Sequence, residues 1–204
     1  IVVSDGSKDK TSLIVKNLSN TCKDINYLRY DNGPSRRENL AKSFYKSSGE
    51  IVSFMDVDLS TSLDDYPKLI KEIKNGADIA TGCRNHKYSI VKSQLSRKMI
   101  SFLFNKFIRL YFGSKVLDHQ CGFKAFKREV VLNLVEELGY DDKFKRKFFW
   151  DTELLIRAQK KGYAIKEIPI KYQETRKSGF NFFEELTMLL YILKLKNRIG
   201  YIKK

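Results

Sequence analysis

Residues 53–61 read SFMDVDLST, so Asp56 and Asp58 stand one residue apart directly after an apolar run. Two carboxylates at i and i+2 beyond a strand can reach one divalent cation through the turn. Mg2+ or Mn2+ takes one or two carboxylates and fills its shell with phosphate oxygens of a substrate. The cation then neutralises the charge that builds on a departing diphosphate. A plain helix start, with Asp58 or Ser60 as its cap, fits the same residues. A second polar turn, SDGSKDKT at 4–11, follows the first apolar run. Such a turn at a helix start can receive nucleotide groups, with Asp5 accepting from a base or ribose; Ser7 or Asp9 as an ordinary cap is the plainer alternative.

These acids must be carried by regular elements. The first two-thirds of the chain alternates short β-rich runs (IVVS, INYLRYD, EIVSFMD, ADIATGC) with helical patterns at 9–20, 35–49 and 62–76. Strand and helix alternating at these lengths require crossover connections and a mostly parallel sheet covered on both faces. Ligands of such sheets bind beyond the carboxyl ends of the strands. Asp5, Asp31 and Asp56 all fall at such ends and are expected in one crevice. Residues 89–113 read as a long helix or a helix pair. CGFKAFKREVVLNLVEEL reads as a strand then a helix, FWDTELLIRAQKKG as a helix, AIKEIPIKY as a late strand and 180–197 as an amphipathic helix.

Composition bounds the function. The chain has 204 residues, 42% hydrophobic and 31% charged, which is a globular balance. The formal net charge of +15 implies a polyanionic partner: nucleic acid, a phosphorylated substrate or an anionic membrane face. Cys22, Cys83 and Cys121 are an odd count without metal-ligand spacing, which fits a reducing cytosol. Two histidines, His86 and His119, argue against a zinc cluster or a His-based triad. No apolar run reaches the roughly 18 residues of a spanning helix, no signal peptide precedes the first strand, and the chain reads as starting inside a strand.

IVVSDGSKDKT, EIVSFMDVDLS, TGCR, DHQCGFKAF and FFWDTELLIRA follow one another in the order and spacing of the family-two glycosyltransferases. The chain resembles the polyprenyl-phosphate branch of that family, the dolichyl-phosphate glucosyltransferases and their mannose-transferring relatives, over residues 1–175. The resemblance implies a GT-A, Rossmann-like α/β fold, followed at 176–204 by an amphipathic helix. It also implies hexose transfer from a nucleotide-diphosphate sugar, UDP-glucose before GDP-mannose, to a polyprenyl or dolichyl phosphate with inversion. Asp5, Gly6 and Ser7 match the nucleotide-binding turn, Asp56 and Asp58 the metal acids with Mg2+ or Mn2+, and Arg84 an arginine near the sugar nucleotide. Asp118 and Gln120 match the segment lining the acceptor and sugar site, and Asp151 and Glu153 the later acids near the reacting centre. Three departures stand out: the family's opening strand has no counterpart, Ser4 replaces the first of two usual acids, and GPSRR stands where a Gly-Lys-Gly motif is expected. Arg36 and Arg37 supply phosphate-binding charge there, or lie on a solvated helix face. A lipid phosphate is already ionised, so placement and electrostatics should carry the reaction. Asp118, Asp151 and Glu153 are the expected catalytic acids. For Asp151 a helix N-cap is the alternative and for Glu153 an ordinary first-turn acid; for His119 a surface or supporting position is expected.

Between Ile79 and Leu117 there is no acid, while basic residues interleave with Phe102, Phe104, Phe107, Tyr111 and Phe112. Such a helix suits the headgroup layer of a membrane, and the tail repeats the design. An anionic membrane surface at the cytoplasmic face is the expected location. Nucleic acid is the rival polyanion; no helix-turn-helix, zinc-finger or RNA-recognition signature appears, and nucleic acid is not expected as a partner.

Overall fold

The structure, a computed structural model, describes residues 1–33, 37–140, 146–147, 149–175 and 182–200. Among these the elements run β1 (Val2–Asp5), α1 (Thr11–Thr21), β2 (Tyr27–Tyr30), α2 (Arg37–Phe44), β3 (Ile51–Met55), a 3-10 turn (Leu63–Asp65) into α3 (Tyr66–Lys74), β4 (Ile79–Cys83), β5 (Ile90–Lys92), α4 (Leu95–Phe112), β6 (Phe123–Lys127), α5 (Arg128–Leu138), α6 (Phe149–Lys160), β7 (Ile165–Pro169), β8 (Lys171–Gln173) and α7 (Phe182–Ile199).

Pairing is mostly parallel, as the alternation of elements predicts. β1 pairs with β2, β4 with β7 and β5 with β8, all parallel. The four-stranded sheet has the order β3-β6-β4-β7, and β6 runs antiparallel to both neighbours. α5 follows β6 without an intervening loop. Alternation along β6 sends Phe126 to one face and Phe123 and Ala125 to the other. Phe126 joins Phe44, Val52, Phe54, Leu134, Trp150 and Leu154 beneath α2, α5 and α6. Phe123 and Ala125 join Leu69, Ile73, Ala80 and Ile168 beneath α3. Helices therefore cover both faces of the sheet.

A third cluster lies outside α6. Phe149 and Ile156 meet Ile108 and Phe112 of α4 and Met188, Ile192, Leu195 and Ile199 of α7. α6 is thus enclosed between the sheet layer and an outer helix pair, and the tail helix docks on the body.

Three expectations about elements are corrected. α2 stops at Phe44 rather than near Gly49, because the Ser43 and Ser47 hydroxyls donate back to Leu40 O and Phe44 O and compete with the helical bonds. Residues 89–113 are not all helical. Ile90 and Val91 are β-branched and find a partner in β8, a strand distant in sequence. The late strand is two strands: Ile170, between β7 and β8, donates to the Ser89 hydroxyl and accepts from Ile90 N–H instead of continuing one ladder.

Candidate active site

The first turn of α2 is the hub of the site. Arg37 opens the helix and donates through Nη2 to Asp56 Oδ1 at 3.0 Å, while its Nε lies 3.2 Å from Asp151 Oδ2. Glu38 accepts from Arg146 Nε at 2.9 Å. Asn39 donates to Asp5 Oδ1 at 2.5 Å and to Asn32 Oδ1 at 2.8 Å. One helical turn therefore ties the end of β1, the end of β3 and α6 together. Glu38 and Asn39 were missed in the sequence; only their place directly after GPSRR could have pointed to them. Arg36 lies outside the described residues.

Asp56 follows β3, and its side chain is 45% exposed. It rests on Gly122, just before β6, where any Cβ would lie within 2.5 Å of Asp56 Cγ and closer still to Oδ2. Gly33 does the same for Asp5: a Cβ there would meet the Asp5 backbone oxygen at 2.5 Å. Gly6 carries φ +72, a left-handed turn that glycine adopts without strain, and its N–H donates to Tyr30 O. Ser7, the next residue of that turn, is half-buried. Asp58 does not cap a helix. Its Oδ1 accepts from Ser60 N–H at 3.1 Å within its own turn, whereas the 3-10 turn is capped by Ser62. Leu59 carries φ 53, a strained value for a bulky residue, so the turn behind the two acids is tight.

Asp151 is not a helix cap. It lies inside α6, almost fully buried, with Lys124 Nζ 3.3 Å from Oδ1 and Arg37 at Oδ2. Lys124 is itself buried; alternation along β6 places it on the Phe126 face, where α6 passes, and it also donates to Cys121 O. Burial opposes the charge on Arg37, but Asp151 and Asp56 outweigh it and raise its pKa.

Glu153, expected beside Asp151, is elsewhere. Two residues along a helix are about 200° of rotation, so Glu153 faces away from Lys124. Its Oε1 accepts from Arg157 and its Oε2 from Tyr191 at 2.7 Å, with Arg146 Nη1 at 3.5 Å. This buried network joins α6 to α7 and, through Arg146, to Glu38, and both oxygens of the carboxylate are engaged in it.

Asp118 pairs with Arg84. It is fully buried and takes the Arg84 fork at 2.7 and 2.8 Å as well as Arg84 N–H at 2.9 Å. Burial alone would raise its pKa, but the guanidinium holds the carboxyl below the usual range. Asp118 is the counter-ion that fixes Arg84, whose guanidinium also lies over Tyr172 at 5.5 Å. Gln120 is half-buried, and its N–H donates to Asp118 Oδ1 at 3.3 Å. His119 is buried rather than on the surface, bonded to Asn105 and Ser114; burial pushes its pKa down to about 3, so the ring is neutral. Asp31 turns outward to Arg29 and leaves the crevice.

The donor set fits a hard divalent cation. Among the described residues no three His, Cys, Asp or Glu side chains close around a point. Asp56 and Asp58 are hard oxygen donors at one strand end, and Gly122 leaves the room that Asp56 occupies. Such a pair suits Mg2+ or Mn2+ completed by substrate phosphate oxygens.

Comparison with known proteins shows the family. Residues 1–134 match the sequence profile of Glycosyl transferase family 2. The chain belongs to this family. It is 33% identical over 174 residues to Glycosyltransferase AglD of Haloferax volcanii, covering 85% of this chain and 27% of that protein. It is 28% identical over 202 residues to Dolichyl-phosphate beta-glucosyltransferase ALG5C of Trichomonas vaginalis, covering 96% of this chain and 58% of that protein. The chain thus spans less than two thirds of either relative. The crystal structure of glucosyl-3-phosphoglycerate synthase from Mycobacterium tuberculosis in complex with uridine-diphosphate matches with a TM-score of 0.66 at 19% identity, over 100% of this chain and 69% of that one. The shared fold is GT-A. In this family-two chain the GPSRR departure is the segment that leads into the Arg37 hub.

Proposed function

We propose that this family-two chain binds a nucleotide-diphosphate sugar and transfers its hexose, with inversion, to a polyprenyl or dolichyl phosphate, UDP-glucose being favoured and GDP-mannose next. The observation that carries the reading is the α2 hub, which gathers Asp5, Asp56 and Asp151 at one end of the fold. Support for the donor comes from the neighbouring synthase, also solved with Mn2+ and UDP-glucose; support for the acceptor comes from the dolichyl-phosphate relative.

Asp56 and Asp58 would hold a divalent cation, which when bound would supply charge neutralisation for the leaving diphosphate. The chain's own residues do the rest. Asp5, fixed by Asn39, accepts from the nucleoside. Arg37 lies beside the cation's acids and presents N–H groups to phosphate. Arg84, fixed by Asp118, carries a second guanidinium for the sugar nucleotide. Asp151 keeps Lys124 and Arg37 in place; with both its oxygens on cations it is a positioning residue, and an ionised phosphate acceptor needs no base.

In this reading residues 1–175 form the catalytic domain, and 176–204 together with α4 lean on the cytoplasmic face of a membrane. α4 turns Phe104, Asn105, Ile108 and Phe112 inward and leaves Leu95, Met99, Phe102, Leu103 and Leu110 exposed, with Lys106 among them and Lys98 and Arg109 alongside. α7 adds exposed Leu189, Leu190 and Leu193 followed by Lys194 and Arg198. Such a face, apolar with basic flanks, enters an anionic interface. Among the described residues no helix is long and apolar enough to cross a membrane.

The test is transfer of radiolabelled glucose from UDP-glucose to a polyprenyl phosphate with Mg2+ or Mn2+, with GDP-mannose as the second donor. Transfer should vanish in Asp56→Ala and Asp58→Ala and in chelator. A double variant running at full rate refutes the metal reading.

A further inference from the structure

Arg37 occupies a place that the metal reading does not explain. One guanidinium joins Asp56, which that reading gives to the cation, to Asp151, which it does not. A cation arriving at Asp56 therefore meets a carboxylate oxygen already taken and a positive charge beside it.

The two acids differ in what they keep if Arg37 leaves. Asp151 retains Lys124, a fully buried ammonium that Asp151 Oδ1 and Cys121 O hold in place. Asp56 has no second basic partner among the described residues and is the exposed member, so its replacement counter-ion must come from solution. Arg37 is also the more accessible of the two cations: its side chain is 20% exposed, on the first residue of α2, whereas Lys124 is 0% exposed within β6. The Arg37 guanidinium lies 5.7 Å from the Phe54 ring centroid, a weaker hold than the two ion pairs.

We propose that Arg37 is an exchangeable counter-ion: it latches Asp56 to Asp151 while the cation is absent, and gives up Asp56 when a divalent cation binds. The exchange breaks the Nη2–Asp56 ion pair, leaves Asp151 neutralised by Lys124, and frees guanidinium N–H groups for the donor's diphosphate. Cation binding and diphosphate binding are thereby linked through one side chain. The inference rests on the metal reading of Asp56.

Mn2+ binding without any nucleotide tests it, read as free Mn2+ by electron paramagnetic resonance on the wild-type chain and its Arg37→Met, Arg37→Lys and Asp56→Asn variants, with circular dichroism to verify folding. Exchange predicts Mn2+ affinity about tenfold or more tighter in Arg37→Met, since a charge-assisted bond no longer competes. Arg37→Lys decides against a mere field effect: it keeps the charge but loses the fork that spans both acids, so exchange predicts tightening of a few-fold and a field effect predicts none. Asp56→Asn should abolish the site. Arg37 variants that bind Mn2+ no better than wild type overturn the latch while leaving the metal reading intact. If neither wild type nor any Arg37 variant binds Mn2+, both fall. Should Arg37→Met not fold, the lysine variant alone decides.

Discussion

Gly122→Ala tests the geometry of the site at a single methyl group. The added Cβ would stand within 2.5 Å of Asp56 Cγ. Carbon atoms settle at about 3.5–4.0 Å, so the carboxylate must retreat by about 1 Å or more. The Arg37–Asp56 bond, 3.0 Å long, cannot survive that retreat in place. Losing a charge-assisted hydrogen bond costs about 1.5–3 kcal/mol, and part of it returns because Asp56 is half exposed and regains water. Crowding adds about 1–3 kcal/mol where neighbours cannot give. A net destabilisation of about 2 kcal/mol is expected, with Mn2+ affinity at least tenfold weaker because the displaced acid no longer faces its site. Urea unfolding and Mn2+ titration measure the two effects. Gly49→Ala is the control: its Cβ would meet only Ile51 O, at 3.4 Å, so the site should be untouched. A Gly122→Ala chain with wild-type stability and wild-type Mn2+ affinity refutes the packing of Asp56 on Gly122.

His119 gives a pH dependence. Its folded-state pKa is depressed to about 3 from 6.5, so on lowering pH the unfolded chain takes up a proton first and the folded state loses stability through that window. Between about pH 7.5 and 5 this amounts to about 2 kcal/mol, and denaturant titrations should show that slope in wild type and lack it in His119→Gln. Glu153→Gln should cost about 3 kcal/mol by leaving Arg146 and Arg157 short of a buried partner, yet leave Mn2+ affinity unchanged; a lost Mn2+ site would return Glu153 to the reacting centre. Met99→Glu with Leu103→Glu, both exposed, should leave melting temperature within a few degrees and reduce co-sedimentation with anionic liposomes about tenfold or more; equal binding to neutral liposomes by wild type would count against the membrane face.

The alternation of strands and helices was legible because each period follows from local stereochemistry, and it led to the parallel pairings and the two covered faces. The antiparallel β6 was not, since a strand reads the same in either direction. β5 was hidden because its partner lies some eighty positions away in the chain, at Lys171–Gln173. The acids behaved likewise. Asp5, Asp56 and Asp58 could be picked out by type and spacing after apolar runs. Asp118 and Glu153 were expected near the reacting centre from the resemblance, and only the tertiary structure shows them buried against Arg84 and against Arg146 and Arg157.

By itself, the sequence determined most of the alternating strands and helices and put Asp5 and Asp56 at strand ends, because propensity, periodicity and turn chemistry act over a few residues. The tertiary structure alone decided which cation each acid keeps. Charge pairing depends on distances across the fold, and Arg37 meets Asp56 and Asp151 only once α2 packs between the sheet and α6.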